Sequence, residues 1–153
     1  MSTRKATSMD VLLVEDSAGD VRLTQEAFRN SNLNIRFHVA VDGTEAMAFL
    51  SRTGAYADAP RPDLILLDLN LPKMDGREVL ARIKANDSLK LIPTVILTTS
   101  DAEDDIIFSY QLQANCYLTK PVHLDAFDGL VKSISEFWLN TVKLPQQSHF
   151  RKS

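Results

Sequence analysis

The chain has 153 residues, 44% hydrophobic and 24% charged, with a formal net charge of -3. Such a chain is long enough for one globular domain with a sizeable core, and its balance lacks the basic footprint by which nucleic-acid binders hold phosphates. One cysteine, Cys116, rules out an internal disulfide, no apolar run reaches membrane-spanning length, and no apolar stretch of the signal-peptide kind follows Arg4 and Lys5, so a cytoplasmic protein is expected.

Residues 1–9 are polar and expected to form a flexible tail. A short apolar run over 11–14 ends in Glu15 and Asp16, the pattern of a buried strand with acids at its carboxyl end. Ser17 and Asp20 are suited to cap a helix in which Val21, Thr24, Ala27 and Phe28 recur at helical spacing, and 30–34 ends it. Ile35, Phe37, Val39 and Val41 alternate strictly, which is the period of a strand with two different faces. Asp42 and Gly43 read as a turn, 44–50 as a helix, and 51–62 as a loop that is long for its place.

The run 63–76, DLILLDLNLPKMDG, comes next. Its continuous apolar segment suits a strand buried on both faces, and it stops at a carboxylate, Asp68. Val79, Leu80 and Ile83 mark a third amphipathic helix, ended near 86–88. A strand is expected over 91–97, running into Thr98, Thr99 and Ser100. Ser100 or Asp101 is placed to cap a helix through Ile106, Ile107 and Tyr110, and Glu103, Asp104 and Asp105 suit the positive end of its dipole. A fifth strand over 115–119 ends at Lys120-Pro121. Leu124, Phe127, Leu130, Val131, Ile134, Phe137 and Trp138 mark a final helix, and Pro145 stops its simple continuation into 141–153.

Strand followed by helix, five times over, demands a parallel sheet with right-handed crossovers and helices on both faces. The expected fold class is therefore α/β: a five-stranded doubly wound sheet of flavodoxin-like order 2-1-3-4-5. The expected domains are the tail 1–9, one domain over 10–140 and an extension over 141–153. In that order the crevice lies above the carboxyl ends of the first and third strands, which carry Glu15, Asp16 and Asp68.

Four strand ends thus bear polar residues: Glu15 and Asp16, Asp68, Thr98, and Lys120. Of the spacings 68−16 = 52, 98−68 = 30 and 120−98 = 22, each of the last two fits one helix and one strand with their loops. Three neighbouring acids repel unless a cation neutralises them. Mg2+ is the natural choice, because it is hard, takes oxygen ligands and keeps several waters. A carboxylate nucleophile, a divalent cation, an ammonium and a hydroxyl are the equipment for phosphoryl transfer to an aspartate.

These residues, in this order, resemble the receiver domain of two-component response regulators across nearly the whole of 10–139. Glu15-Asp16 matches the acidic pair, Asp68 the phosphoacceptor, Thr98 the switch hydroxyl, and Lys120-Pro121 the Lys-Pro pair. A closer likeness is to the small cyanobacterial response regulators that serve phytochrome histidine kinases. It is carried by RPDLILLDLNLPKMDGREVL over 61–80, NCYLTK over 115–120 and FWLNTVKLP over 137–145.

The resemblance implies that Asp68 takes a phosphoryl group from a kinase histidine. It implies that Asp16, Asp68 and the backbone carbonyl of Asn70 hold Mg2+, with Glu15 acting through water. Lys120 and Thr98 would contact the phosphoryl oxygens. Tyr117 would change position as Thr98 moves, altering the face of the fourth helix, fifth strand and fifth helix. Asn70 and Ser100 would tune the lifetime of the phosphate. The Lys120-Pro121 bond is usually cis in that family.

Other residues have plainer readings. Asp75-Gly76 suits a structural turn, Cys116 a small buried residue, and His38, His123 and His149 show no metal-ligand spacing. The final helix is apolar to its end and is followed by Val142, Leu144 and Phe150, an excess that suits an interface. A homodimer through the fourth helix, fifth strand, fifth helix and the tail is expected, with no nucleic-acid or membrane partner. So is a stand-alone phosphoacceptor, which catalyses only its own phosphorylation and dephosphorylation. Two rivals are a phosphatase with a nucleophilic aspartate and a degenerate receiver acting as a binding module. The phosphatase would need a second aspartate two residues on as general acid, where this chain has Asn70. The complete set of Glu15, Asp16, Asp68, Thr98 and Lys120 argues against the degenerate form.

Overall fold

The computed structural model describes residues 8–29, 34–99, 102–114 and 116–120. Five parallel strands, β1 (Ser8–Val14), β2 (Asn34–Ala40), β3 (Leu64–Leu67), β4 (Thr94–Thr98) and β5 (Cys116–Thr119), form one sheet in the order β2-β1-β3-β4-β5. Between them run the helices α1 (Ala18–Arg29), α2 (Gly43–Ser51), α3 (Gly76–Ala85) and α4 (Glu103–Gln111). The strand order is the one that the sequence rhythm demands.

The central strands carry unbroken apolar runs, Val11–Val14, Leu64–Leu67 and Val95–Leu97, because both sheet faces are covered. Leu12, Val14, Ile65, Leu67 and Ile96 point to one face, where Phe49 and Leu50 of α2 and Val79, Leu80 and Ile83 of α3 pack on them. Val11, Leu13, Leu64, Leu66, Val95 and Leu97 point to the other, against Ala27 and Phe28 of α1. β2 pairs only with β1 among the described strands and is half-covered, which is why its apolar residues alternate.

Several boundaries differ from expectation, each for a local reason. β1 starts at Ser8, two residues inside the expected tail, because Ser8 and Met9 pair with Asn34 and Ile35. The strand expected from residue 91 starts at Thr94: Leu89–Leu91 form a 3-10 turn, and Pro93 has no N–H for a ladder, although its carbonyl accepts from Ile65 N–H at 2.9 Å. Asp42 is a helix cap rather than a turn residue. Its carboxylate accepts from Glu45 N–H at 2.7 Å, and Gly43 is the first residue of α2. α4 has Ala102 at its N-cap, with no side-chain cap bond, and the expected caps Ser100 and Asp101 lie outside the described residues. The final helix expected from Leu124 to Trp138, the extension, Pro121 and the bond before it, Ser100, His123 and His149 lie outside the described residues, as does the Cys116 side chain.

Candidate functional site

Register brings the polar strand ends together. Glu15 directly follows β1, and its N–H donates to Ala40 O at 2.9 Å. Asp68 directly follows β3, and its N–H donates to Val14 O at 3.1 Å. Thr98 closes β4 opposite Thr119, and Lys120 N–H donates to Thr98 O at 2.6 Å. Four separate segments thus end level, which places their side chains in one crevice.

The Asp68 carboxylate is buried and bonded on both oxygens. Oδ1 accepts from Thr98 Oγ1 at 2.7 Å and from Asn70 N–H at 2.9 Å. Oδ2 accepts from Lys120 Nζ at 3.0 Å. Lys120 Nζ also donates to Asp20 Oδ2 at 2.9 Å and, in a very short contact, to Glu15 Oε1. Burial pushes the Asp68 carboxyl up, but the bonds from Thr98, Asn70 N–H and Lys120 outweigh it and hold the group below the ordinary carboxylate range. Glu15 has the opposite balance. Burial pushes it up to about 7 in spite of its contact with Lys120, and the Asp68 charge adds to the rise. Burial pulls Lys120 down, yet bonds to Glu15, Asp20 and Asp68 hold it above its ordinary value.

One carboxylate oxygen from each of Glu15, Asp16 and Asp68 lies within 4.8 Å of the others. Glu15 and Asp68 are buried, while Asp16 is exposed. Three hard oxygens at that separation, with one open to solvent, fit a divalent cation such as Mg2+ that keeps part of its water shell.

The loop after Asp68 is fixed by close backbone approach. A Cβ on Gly76 would stand 2.2 Å from Asp68 O and 2.6 Å from Leu69 Cα, so only glycine lets α3 start there. Asp75, read as a turn residue, caps α3 by accepting from Arg77 N–H at 2.7 Å. Asn70 is exposed. Tyr117 is 9% exposed, in the cluster that holds Ile96 and Ala114.

Two features were not read from the sequence. Asp20 is, with Ser17, one of the two expected caps of α1. Ser17 Oγ fills that role, accepting from Asp20 N–H at 3.3 Å, and the Asp20 carboxylate turns to Lys120. The available signal was its place in the first turn of the helix that directly follows the acidic pair. Arg77 is the second. Its Nε and Nη2 fork onto Asp105 at 2.7 and 2.6 Å, and Nη1 reaches Asp75 at 3.0 Å and Leu69 O at 3.3 Å. Nothing in the spacing 77 to 105 announces that pair.

The chain matches the profile of the response regulator receiver domain over residues 11–132. It is 56% identical to response regulator Rcp1 of Synechocystis over 88% of this chain and 92% of that protein. It is 38% identical to the probable methanogenesis regulatory protein FilR2 of Methanothrix harundinacea, over 88% and 86%. Among solved structures it resembles the Mn(2+)-bound form of Rcp1, with TM-score 0.85, 55% identity and coverage of 90% and 99%. It also resembles the phosphorylated cyanobacterial phytochrome response regulator RcpA, with TM-score 0.87, 54% identity and coverage of 92% and 100%.

Proposed function

The chain belongs to the response regulator receiver domain family, and from that membership we propose that it is a single-domain response regulator whose Asp68 accepts a phosphoryl group from a phytochrome-type histidine kinase. The observation that carries the reading is the convergence of the Lys120 ammonium and the Thr98 hydroxyl on the two oxygens of one buried aspartate. An Asp68 oxygen attacks the phosphorus of a phosphohistidine. The O–P bond forms, the P–N bond breaks, and the imidazole leaves with a proton. Lys120 and Thr98 then donate to the transferred phosphoryl oxygens, where charge collects. Asp16, Asp68 and the Asn70 carbonyl, with Glu15 through water, would hold Mg2+, which would supply positive charge for both the acids and the arriving group.

Thr98 and Tyr117 form the switch in this reading. Support comes from the Thr98 hydroxyl, which already sits on Asp68, and from Tyr117 of β5, which is buried in the cluster against which Ile106 of α4 packs. Asn70 and Ser100 set how long the phosphate survives. The chain catalyses only its own phosphorylation and dephosphorylation, and passes the signal by changing its surface or its dimer. The dimer uses α4, β5, the segment 124–138 for which a helix is expected, and the segment 141–153; Ile107 and Tyr110, 47% and 51% exposed on α4, support that face. No helix among the described residues is long and apolar enough to cross a membrane, and the proposed compartment is the cytoplasm.

Phosphotransfer tests the reading. A phytochrome-type kinase carrying labelled phosphohistidine should pass its label to the chain within minutes and leave Asp68→Ala unlabelled. Label that stays on the kinase, or appears equally on Asp68→Ala, overturns it. Sedimentation of the phosphorylated and unphosphorylated chain tests the dimer, and monomer in both states contradicts it.

A further inference from the structure

No apolar side chain of α4 is fully buried, and Ile106 and Phe108 are half-buried. The one fully buried side chain of the helix is Ser109, whose hydroxyl has no hydrogen-bond partner among the described residues, while Ile106 packs only partly on the core. Ile107 and Tyr110 are exposed, and the N-cap residue Ala102 makes no side-chain cap bond. Charge supplies an anchor: Asp105, in the first turn of α4, takes a two-pronged bond from Arg77 of α3 at 2.7 and 2.6 Å. Both side chains are mostly shielded, 32% and 15% exposed. Forked guanidinium–carboxylate bonds are strong and fix orientation as well as distance.

The same guanidinium also reaches the phosphoacceptor loop. Its third nitrogen, Nη1, donates to Leu69 O at 3.3 Å, beside its contacts with Asp75. Leu69 O is a crowded acceptor, taking Gly76 N–H at 3.0 Å and Leu71 N–H at 3.2 Å as well. That peptide lies between Asp68 and Asn70, whose N–H is bonded to the Asp68 carboxylate at 2.9 Å. One side chain therefore holds the loop with one hand and α4 with the other.

We propose that Arg77 is a positioning residue that couples the 68–70 loop to the seating of α4, a second link beside Thr98 and Tyr117. Any shift of the loop that draws Leu69 O away from Nη1 re-aims the fork on Asp105, and any shift of α4 pulls on the loop. Coupling of this kind is reciprocal. The sense of the signal, from loop to helix on phosphorylation, rests on the phosphoacceptor reading, while the mechanical link does not.

Hydrogen exchange on the full chain separates the two. Asp105→Asn keeps the shape and removes the charge. It should speed exchange of the Asn70 and Gly76 amides, in a loop joined to Asp105 through Arg77, by roughly threefold to tenfold. Asp105→Glu, which keeps the charge, should leave them near wild type, and Arg77→Ala should loosen α4 and the loop together. Faster exchange confined to α4 in Asp105→Asn, with Asn70 and Gly76 unchanged, overturns the proposal. In a parallel arm, Mg2+ with beryllofluoride should move the amide resonances of both Asp68 and α4 in wild type, and of Asp68 alone in Arg77→Ala. An α4 response of equal size in Arg77→Ala overturns the coupling. No response at Asp68 in wild type overturns the phosphoacceptor reading, and the exchange comparison then still decides the link.

Discussion

β1 has a polar cluster at each end, and the two differ in how far cations balance their carboxylates. At its start, Asp10 receives Arg36 Nε at 2.9 Å and Nη2 at 3.1 Å, and pairs with His38 Nε2 at 3.0 Å. Asp10 N–H also donates to the Asp63 side chain, at Oδ2, at 2.9 Å, and Asp63 N–H donates to Asp10 O at 2.7 Å. At the other end, Glu15, Asp16, Asp20 and Asp68 gather near one ammonium, Lys120. In the first cluster two carboxylates face one guanidinium and one imidazole. The second has four carboxylates for one cation, which favours binding another cation and tolerates a phosphoryl group only with it. The lesson is that a buried acid near a strand end marks function only when the described partners fail to balance it.

Removing the cation at the crowded end should have the largest effect. Lys120→Met leaves Glu15 and Asp68 buried without their ammonium. Without Mg2+ it should lower stability by about 3 kcal/mol, read in urea melts, and added Mg2+ should restore part of the loss. Phosphorylation by a small phosphodonor should slow by about 100-fold, the usual cost of losing one preorganised donor. Unchanged stability and rate would break the contrast.

Asp10→Asn probes the balanced end, and its effect should be smaller and confined to stability. Arg36 is 63% exposed at its side chain, so water screens the pair. A loss of a few degrees in Tm is expected, with the phosphorylation rate unchanged. The pH dependence has a definite sign. The hydrogen bond from Arg36 holds the Asp10 carboxyl below the ordinary carboxylate range despite partial burial, with His38 helping. Its stabilisation is therefore complete above an unfolded value of about pH 4 and is lost as pH falls through the lower folded value. The gap between wild type and Asp10→Asn in thermal melts should be constant near neutrality and close on acidification. A gap that opens instead would show that Asp10 is not held low.

The smallest effect belongs to Asp20→Asn. Asp20 is 37% exposed at its side chain and is one of three acceptors on Lys120. Phosphorylation should change by less than about threefold. A loss as large as that of Lys120→Met would make Asp20 a principal part of the site.

The sequence announced whatever depends on the sheet. Apolar runs ending in Glu15, Asp68 and Thr98 follow from strands buried on both faces, and a parallel order then leaves few places for their ends to meet. Where local chemistry set the outcome, the reading slipped. Asp42 and Asp75 resemble turn residues and prove to be caps, because the same short carboxylate serves either N–H arrangement. Pro93 delayed β4 by removing a donor that hydropathy does not register. Side-chain direction was the least legible. Asp20 to Lys120 and Arg77 to Asp105 join residues far apart in sequence, and both depend on where helices land on the sheet rather than on any periodicity.

The central claim is that the unbalanced end of the sheet is a phosphoryl-accepting site centred on Asp68. Mass spectrometry of the intact chain after incubation with Mg2+ and acetyl phosphate tests it most directly, with the modified position mapped in peptides spanning 62–77. The account predicts one acid-stable, base-labile phosphoryl adduct on Asp68, absent after Mg2+ is chelated, absent in Asp68→Ala and retained in Asp10→Asn. No adduct on the wild-type chain, or an adduct of equal yield on Asp68→Ala, would contradict it.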